Sequence, residues 1–331
     1  MATRARPGKK RNRRIRPGPA PGKALAGGRA AARELDHERS ITLRRRQRAI
    51  ATATRAAARP AVRLAARRVA ALGPAGIATL VAEGDSWFDY LGRDVIAELE
   101  ERGYDIESVA HHGDRVEAMA YAEAQLLALR RALEKLARRG EVPRAILLSG
   151  GGNDLAGDGF AMLLDHARAP RPGLNENVLR GVIDTRIRDA YLRLIAGVTE
   201  SCRLVFGRPL PILLHGYAHA VPDGRGVLGG FWFLPGPWLA PGFRQKGFLD
   251  LEANRATVAA LIDRFNAMLQ QIPRLDGCGH VHCLDLRAVL PGGSGHRRWW
   301  ANELHPTRRG FRAVAEVFIR CLESLEPEGG T

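Results

Sequence analysis

Five short strand-like runs recur along the chain, at residues 77–82, 105–111, 144–149, 210–215 and 280–286. Short apolar runs bounded by turn residues are the pattern of strands buried inside a sheet. Between them the apolar residues switch to helical spacing. Val95, Ile96 and Leu99 mark a short helix closed by Gly103, and Val116, Met119, Leu126, Leu129 and Leu133 mark a long one over 114–139, closed by Gly140. A helix over 178–198 follows an irregular Pro-Arg-Pro-Gly segment at 170–173. Val258, Leu261, Ile262, Phe265, Met268, Leu269 and Ile272 then share one helical face. The last helix begins near Thr307 and presents Phe311, Val314, Val317, Phe318 and Cys321. Strands alternating with helices predict an α/β fold, a mostly parallel five-stranded sheet with helices on both faces. A long Gly- and Pro-rich loop over 218–247, carrying Phe231, Trp232, Phe233 and Trp238, interrupts the alternation.

The N-terminal quarter does not fit this pattern. Residues 1–75 hold 21 of the 51 basic residues and only three of the 35 acidic ones, a net +18, which leaves the rest of the chain at −2. Residues 1–28 are Pro, Gly, Arg and Lys with few large apolar side chains, a composition that predicts disorder. Residues 30–72 turn to Ala and Arg, which favour helix, but the apolar face is weak and Pro60 stops or kinks it. The expected organisation is therefore a basic arm at 1–75, disordered or loosely helical and solvated, and a folded body at 76–331. Such an arm is suited to weak, nonspecific contact with nucleic acid or another anionic surface. No aromatic residue precedes Trp87 to stack on bases.

Four cysteines in 331 residues do not form a disulfide framework. No apolar run is long enough for a membrane helix or a secretory signal, so a cytoplasmic protein without a transmembrane segment is expected, although an Arg- and Ala-rich arm also mimics an organellar transit peptide. His111, His112, His215 and His219, and the Cys278-Gly279-His280-Val281-His282-Cys283 run, lack the paired clusters of a zinc site. No metal or other cofactor is expected.

Candidate chemistry lies at the strand ends. Gly84-Asp85-Ser86 follows the first run, His112-Gly113-Asp114 the second, and Ser149-Gly150-Gly151-Gly152-Asn153-Asp154 the third. Asn302-Glu303-Leu304-His305-Pro306-Thr307 precedes the last helix. In open α/β sheets ligands bind beyond the carboxyl ends of the strands. The Gly-rich run lacks the Lys-Ser/Thr of a phosphate-binding loop.

Ser86, Gly113, Asn153 and His305, in this order and spacing over residues 77–325, resemble the SGNH (GDSL) hydrolase family. The resemblance implies a flavodoxin-like three-layer α/β/α fold with strand order 2-1-3-4-5 and an esterase that uses a serine nucleophile. It implies Ser86 as nucleophile, His305 as base, and an oxyanion hole built from the Ser86 and Gly113 backbone N–H groups and the Asn153 amide. The family places Asp three residues before the histidine, where this chain has Asn302. Asn302, Glu303 or a backbone carbonyl remain as partners for His305, with Glu303 expected to point to solvent. His215 and Tyr217, after the fourth strand, are expected to line the substrate pocket. The alternative from another class is an inactive hydrolase scaffold that binds through its arm.

Overall fold

The computed structural model describes residues 21–56, 78–90, 93–227 and 235–325. Of the disorder expected over residues 1–28, residues 1–20 lie outside the described residues, as do the helix stop at Pro60 and Phe231, Trp232 and Phe233, whereas residues 21–28 are helical.

Strands β1 (Thr79–Glu83), β2 (Asp105–Ser108), β3 (Ala145–Leu148), β4 (Ile212–His215) and β5 (Val281–Leu284) pair in parallel in the order 2-1-3-4-5. Leu80, Val81 and Ala82 of β1 and all of β3 are buried, because a parallel sheet is covered on both faces. The parallel register brings the C-terminal ends of the strands to one edge, with Ala82 opposite Ser108 and Leu147, and Leu214 opposite Leu148 and Cys283. The sheet order is that expected.

Helices flank the sheet in two groups. Helix α2 (Val95–Glu100) packs against the last helix. On the other group, α3 (Val116–Tyr121) and α4 (Glu123–Arg139) pack against α5 (Arg188–Phe206). The remaining two are α6 (Leu251–Gln271) and α7 (Arg308–Ser324). Side-chain caps start several of them: Asp94 accepts from the Ala97 N–H, Asp250 from Ala253 and Thr307 from Gly310. Gly140 and Gly207 end α4 and α5 in the left-handed conformation.

Two helices differ from the sequence expectation. The single helix over 114–139 is broken at Ala122, whose ψ of 118° is extended. No Gly or Pro marks the break. Contacts elsewhere in the fold hold α3: Asp154 accepts the Val116 N–H at 2.9 Å, and Met119 packs so closely on Gly150 that a Cβ there would sit 2.7 Å from its Cε. The helix expected over 178–198 extends to Phe206 and contains one π-helical stretch, Val182–Ile187.

The basic arm also departs from the solvated helix expected of it. Helix α1 (Pro21–Ala56) lies on α5. Ala32 and Leu35 are buried, Arg33 pairs with Glu200 at 2.7 Å, and Asp36 pairs with the buried Arg130. The sequence pattern missed this contact because it is made largely by small residues. At Gly28 a Cβ would lie 2.0 Å from the Arg193 carbonyl oxygen, so the two backbones meet where only glycine fits. Gly28→Leu should therefore lift α1 off the body. Limited proteolysis should then cleave within 21–56 much faster than in the wild type, with a stability loss of about 1–3 kcal/mol from overpacking. Unchanged protection would show that the crossing does not depend on this glycine.

Candidate active site

Chain direction reverses sharply after β1 because Gly84 passes close to the end of β3: a Cβ on it would lie 2.8 Å from the Ser149 carbonyl oxygen. The turn buries Asp85 and Trp87 and leaves Ser86 between them partly open. Asp85 is held from three sides. Its Oδ1 accepts the Trp87 N–H at 3.0 Å and the Ser149 hydroxyl at 2.6 Å, and its Oδ2 accepts the Tyr217 hydroxyl at 2.5 Å.

Across the cleft, the segment before α7 presents His305. Its Nε2 is 2.8 Å from Ser86 Oγ, and its Nδ1 is 3.0 Å from Asn302 Oδ1. The amide orientation follows from its neighbours. Asn302 Oδ1 also accepts the Leu304 and His305 backbone N–H groups, and Asn302 Nδ2 donates to the Tyr90 hydroxyl at 3.0 Å. An oxygen facing Nδ1 puts the imidazole proton on Nδ1, which leaves Nε2 free to accept from the serine. The Tyr90 ring stacks on the imidazole at 4.1 Å between centroids and 16° between planes, and Trp238 meets it edge-to-face. Burial pushes the His305 pKa down from the ordinary 6.5 to about 3. The ring is 5 % exposed, and no carboxylate is bonded to it among the described residues.

Asn153 lies in the one-turn helix Gly152–Leu155 just beyond β3. One N–H of its amide donates to the Asp114 carbonyl at 2.9 Å, which aims the group and leaves its second N–H for another acceptor. Ser86 and Asn153 line one cleft with Leu155, Ala156, Ala218, Val258, Leu261 and Ile262, so its walls are mostly apolar. Gly113, exposed beyond β2, has a φ of +86° that explains the glycine without any need for space around it.

The structure thus brings Ser86, His305 and Asn302 together and sets Asn153 in the same cleft. Tyr217 also lines this cleft, with its hydroxyl turned to Asp85. His215, expected beside it in the pocket, is instead fully buried: its ring bonds Ser149 Oγ at 2.8 Å and the Gly216 carbonyl at 2.7 Å, and stacks on Trp87. Side chains in β strands alternate between faces, but the final residue of β4 meets the Trp87 and Phe318 rings instead of the cleft.

Asp85, Ser149 and His215 make a second serine, histidine and carboxylate set. All three are at most 1 % exposed, and the serine stands between the carboxylate and the imidazole, so the carboxylate does not orient the histidine. Among the described residues no group of three or more His, Cys, Asp or Glu side chains is placed to hold a metal ion. No helix there is long and apolar enough to cross a membrane.

Glu303 corrects a further expectation. Its side chain points away from that of its neighbour Asn302, but into the protein and not toward solvent. Its carboxylate accepts four backbone N–H groups of the long loop, those of Gly224, Trp238, Leu239 and Ala240, at 2.6–3.1 Å. Burial pushes its pKa up, against the pull of these four bonds.

No family model matches the chain, and no curated protein matches it. Among solved structures it is similar to an α/β hydrolase enzyme from the metagenome of Lake Arreo, Spain, at 15% identity over 77% of this chain and 99% of that one, with a TM-score of 0.40. It is similar also to an SGNH hydrolase candidate from Slackia heliotrinireducens, at 14% identity over 75% and 99% with a TM-score of 0.41. A third is a catalytic mutant of an acetylxylan esterase from Geobacillus stearothermophilus, at 16% identity over 77% and 98% with a TM-score of 0.36. The strand order is that of a flavodoxin-like α/β sheet.

Two outcomes follow from burial at this site. Folded His305 stays neutral down to about pH 3, whereas the unfolded chain protonates it below about 6.5. Its contribution to stability is fully present above pH 6.5 and is lost as pH falls toward 3. Denaturant unfolding should therefore show the wild type losing more stability than His305→Gln between pH 6.5 and 4; parallel losses would mean that the ring is not held neutral. Separately, Glu303→Gln turns an amide NH₂ toward N–H donors and should cost about 3 kcal/mol. It should also expose residues 235–240 to protease, and a thermal midpoint equal to wild type would remove Glu303 as the anchor of that stretch.

Proposed function

We infer that the chain is a serine hydrolase of carboxylic esters. The observation that carries this is the 2.8 Å contact between a partly open Ser86 Oγ and the Nε2 of a histidine whose Nδ1 is tied to Asn302. A serine hydroxyl is a weak nucleophile until a base in hydrogen-bond reach takes its proton. In this reading His305 Nε2 takes the Ser86 proton as Oγ attacks the ester carbonyl. The developing oxyanion is received by the Ser86 and Gly113 backbone N–H groups and the second N–H of Asn153. His305 then gives its proton to the departing alkoxide, and an acyl-serine remains. Water, deprotonated by the same imidazole, releases the acid. The apolar cleft beside Ser86 suits an aliphatic acyl group, with Leu155, Ala156 and Leu261 against the chain. No cofactor is needed for any step. The catalytic body is residues 76–331.

Aryl esters of increasing acyl length test this reading. Ser86→Ala should abolish turnover and labelling by a phosphonate probe, with an unchanged thermal midpoint. Asn153→Ala should lower kcat by about 10²–10³-fold with a smaller effect on KM, as for loss of one oxyanion donor. Turnover that survives Ser86→Ala removes the reading altogether.

A further inference from the structure

His305 poses an electrostatic problem. It is a buried ring with a pKa pushed down to about 3, and its orienting partner is a neutral amide. Proton transfer from Ser86 turns it into an imidazolium with no carboxylate bonded to it. The groups that face the ring are Ser86, Asn302, Tyr90 and Trp238. None carries a charge: Tyr90 is the titratable one, and burial pushes its phenol up, so it stays protonated. The two nearest carboxylates in sequence are engaged elsewhere, Glu303 by four loop N–H groups and Asp85 by Trp87, Ser149 and Tyr217.

Resting on the hydrolase reading above, we propose that Tyr90 is a positioning residue that replaces the missing carboxylate: its hydroxyl fixes the Asn302 amide, and its ring face stabilises the His305 imidazolium. The geometry supplies both parts. The hydroxyl accepts from Asn302 Nδ2 at 3.0 Å and so helps to hold the amide whose Oδ1 is turned to the histidine by the Leu304 and His305 N–H groups. The ring lies parallel to the imidazole at 4.1 Å, well inside the ~6 Å range in which a cation is drawn to the negative face of an aromatic ring. Neutral imidazole gains little from that face, and imidazolium gains much more. The preference for the charged state appears as the proton moves, so it acts on kcat and not on binding.

The test replaces Tyr90 by phenylalanine and then by its mono-, di- and trifluorinated analogues, which keep the ring's shape while draining electron density from its face. Tyr90→Phe should lower kcat about two- to tenfold with little change in KM, because the Asn302 amide loses one anchor, and it is the reference for the series. Along the fluorinated series kcat should fall stepwise by about tenfold in all, within the range of a desolvated cation–π contact, while KM changes less than about twofold. Asn302→Asp supplies a carboxylate in the same place, where the Tyr90 hydroxyl can donate to it. In that background the same fluorinated series should be nearly flat. A packing role would give the same slope in both backgrounds. Equal slopes, a flat series in the Asn302 enzyme, or a Tyr90→Phe enzyme with the wild-type kcat would each overturn the proposal. Turnover that persists in Ser86→Ala is a different result, since it removes the hydrolase reading itself and this inference with it.

Discussion

A carboxylate buried at the edge of a parallel sheet costs several kcal/mol unless it is fully bonded, and the arrangement of this site depends on how Asp85 meets that requirement. Its three donors come from three places: Trp87 from its own turn, Ser149 from the end of β3, and Tyr217 from just beyond β4. Tyr217 in turn accepts the Gly152 N–H, one residue before Asn153. One buried charge thereby ties together the turn that presents Ser86, the turn that presents Asn153, and the strand end between them and α6. Loss of the Tyr217 hydroxyl leaves Oδ2 unpaired, and loss of the Ser149 hydroxyl leaves Oδ1 with the Trp87 N–H alone, so each donor helps to hold the sheet edge.

That constraint explains which residues could be read from sequence. Ser86, Gly113 and Asn153 each follow a strand-like run in a glycine-containing turn, and His305 precedes Pro306 at the start of the last helix, whereas the strand order was expected from family likeness alone. Asp85, Ser149 and His215 carry the same chemical types, but their function is internal, and residue type alone does not separate a buried hydrogen-bonded histidine from one that faces substrate. His215 was assigned to the pocket for that reason. Glu303 was misplaced because an acidic residue in a loop is normally solvated; its four partners lie 63 to 79 residues away in sequence. The docking of α1 on α5 is not legible in the sequence, because a crossing made through Gly28 and Ala32 has almost no hydrophobic signal. The break at Ala122 is set by contacts with the Gly150–Asp154 region and not by any local residue.

Substitution of Asn for Asp at position 302 looks, in isolation, like the loss of a catalytic element. In the folded chain Asn302 still makes every geometric contact that an aspartate would make, including the two backbone N–H groups of its own turn. What changes is charge alone. In the proposed mechanism two tasks that one carboxylate can perform together, orientation of the imidazole and stabilisation of its charged form, fall to Asn302 and to the ring of Tyr90 stacked on His305.

The segment before α7 has a mechanical consequence as well. Asn302 sets the proton position on the base, and Glu303, the next residue, anchors the loop that carries Trp238 against that base. Both grips belong to one short stretch of backbone and act like the two jaws of a single latch. Displacing the Trp238 backbone therefore means breaking a Glu303 bond one peptide away from the residue that orients the imidazole.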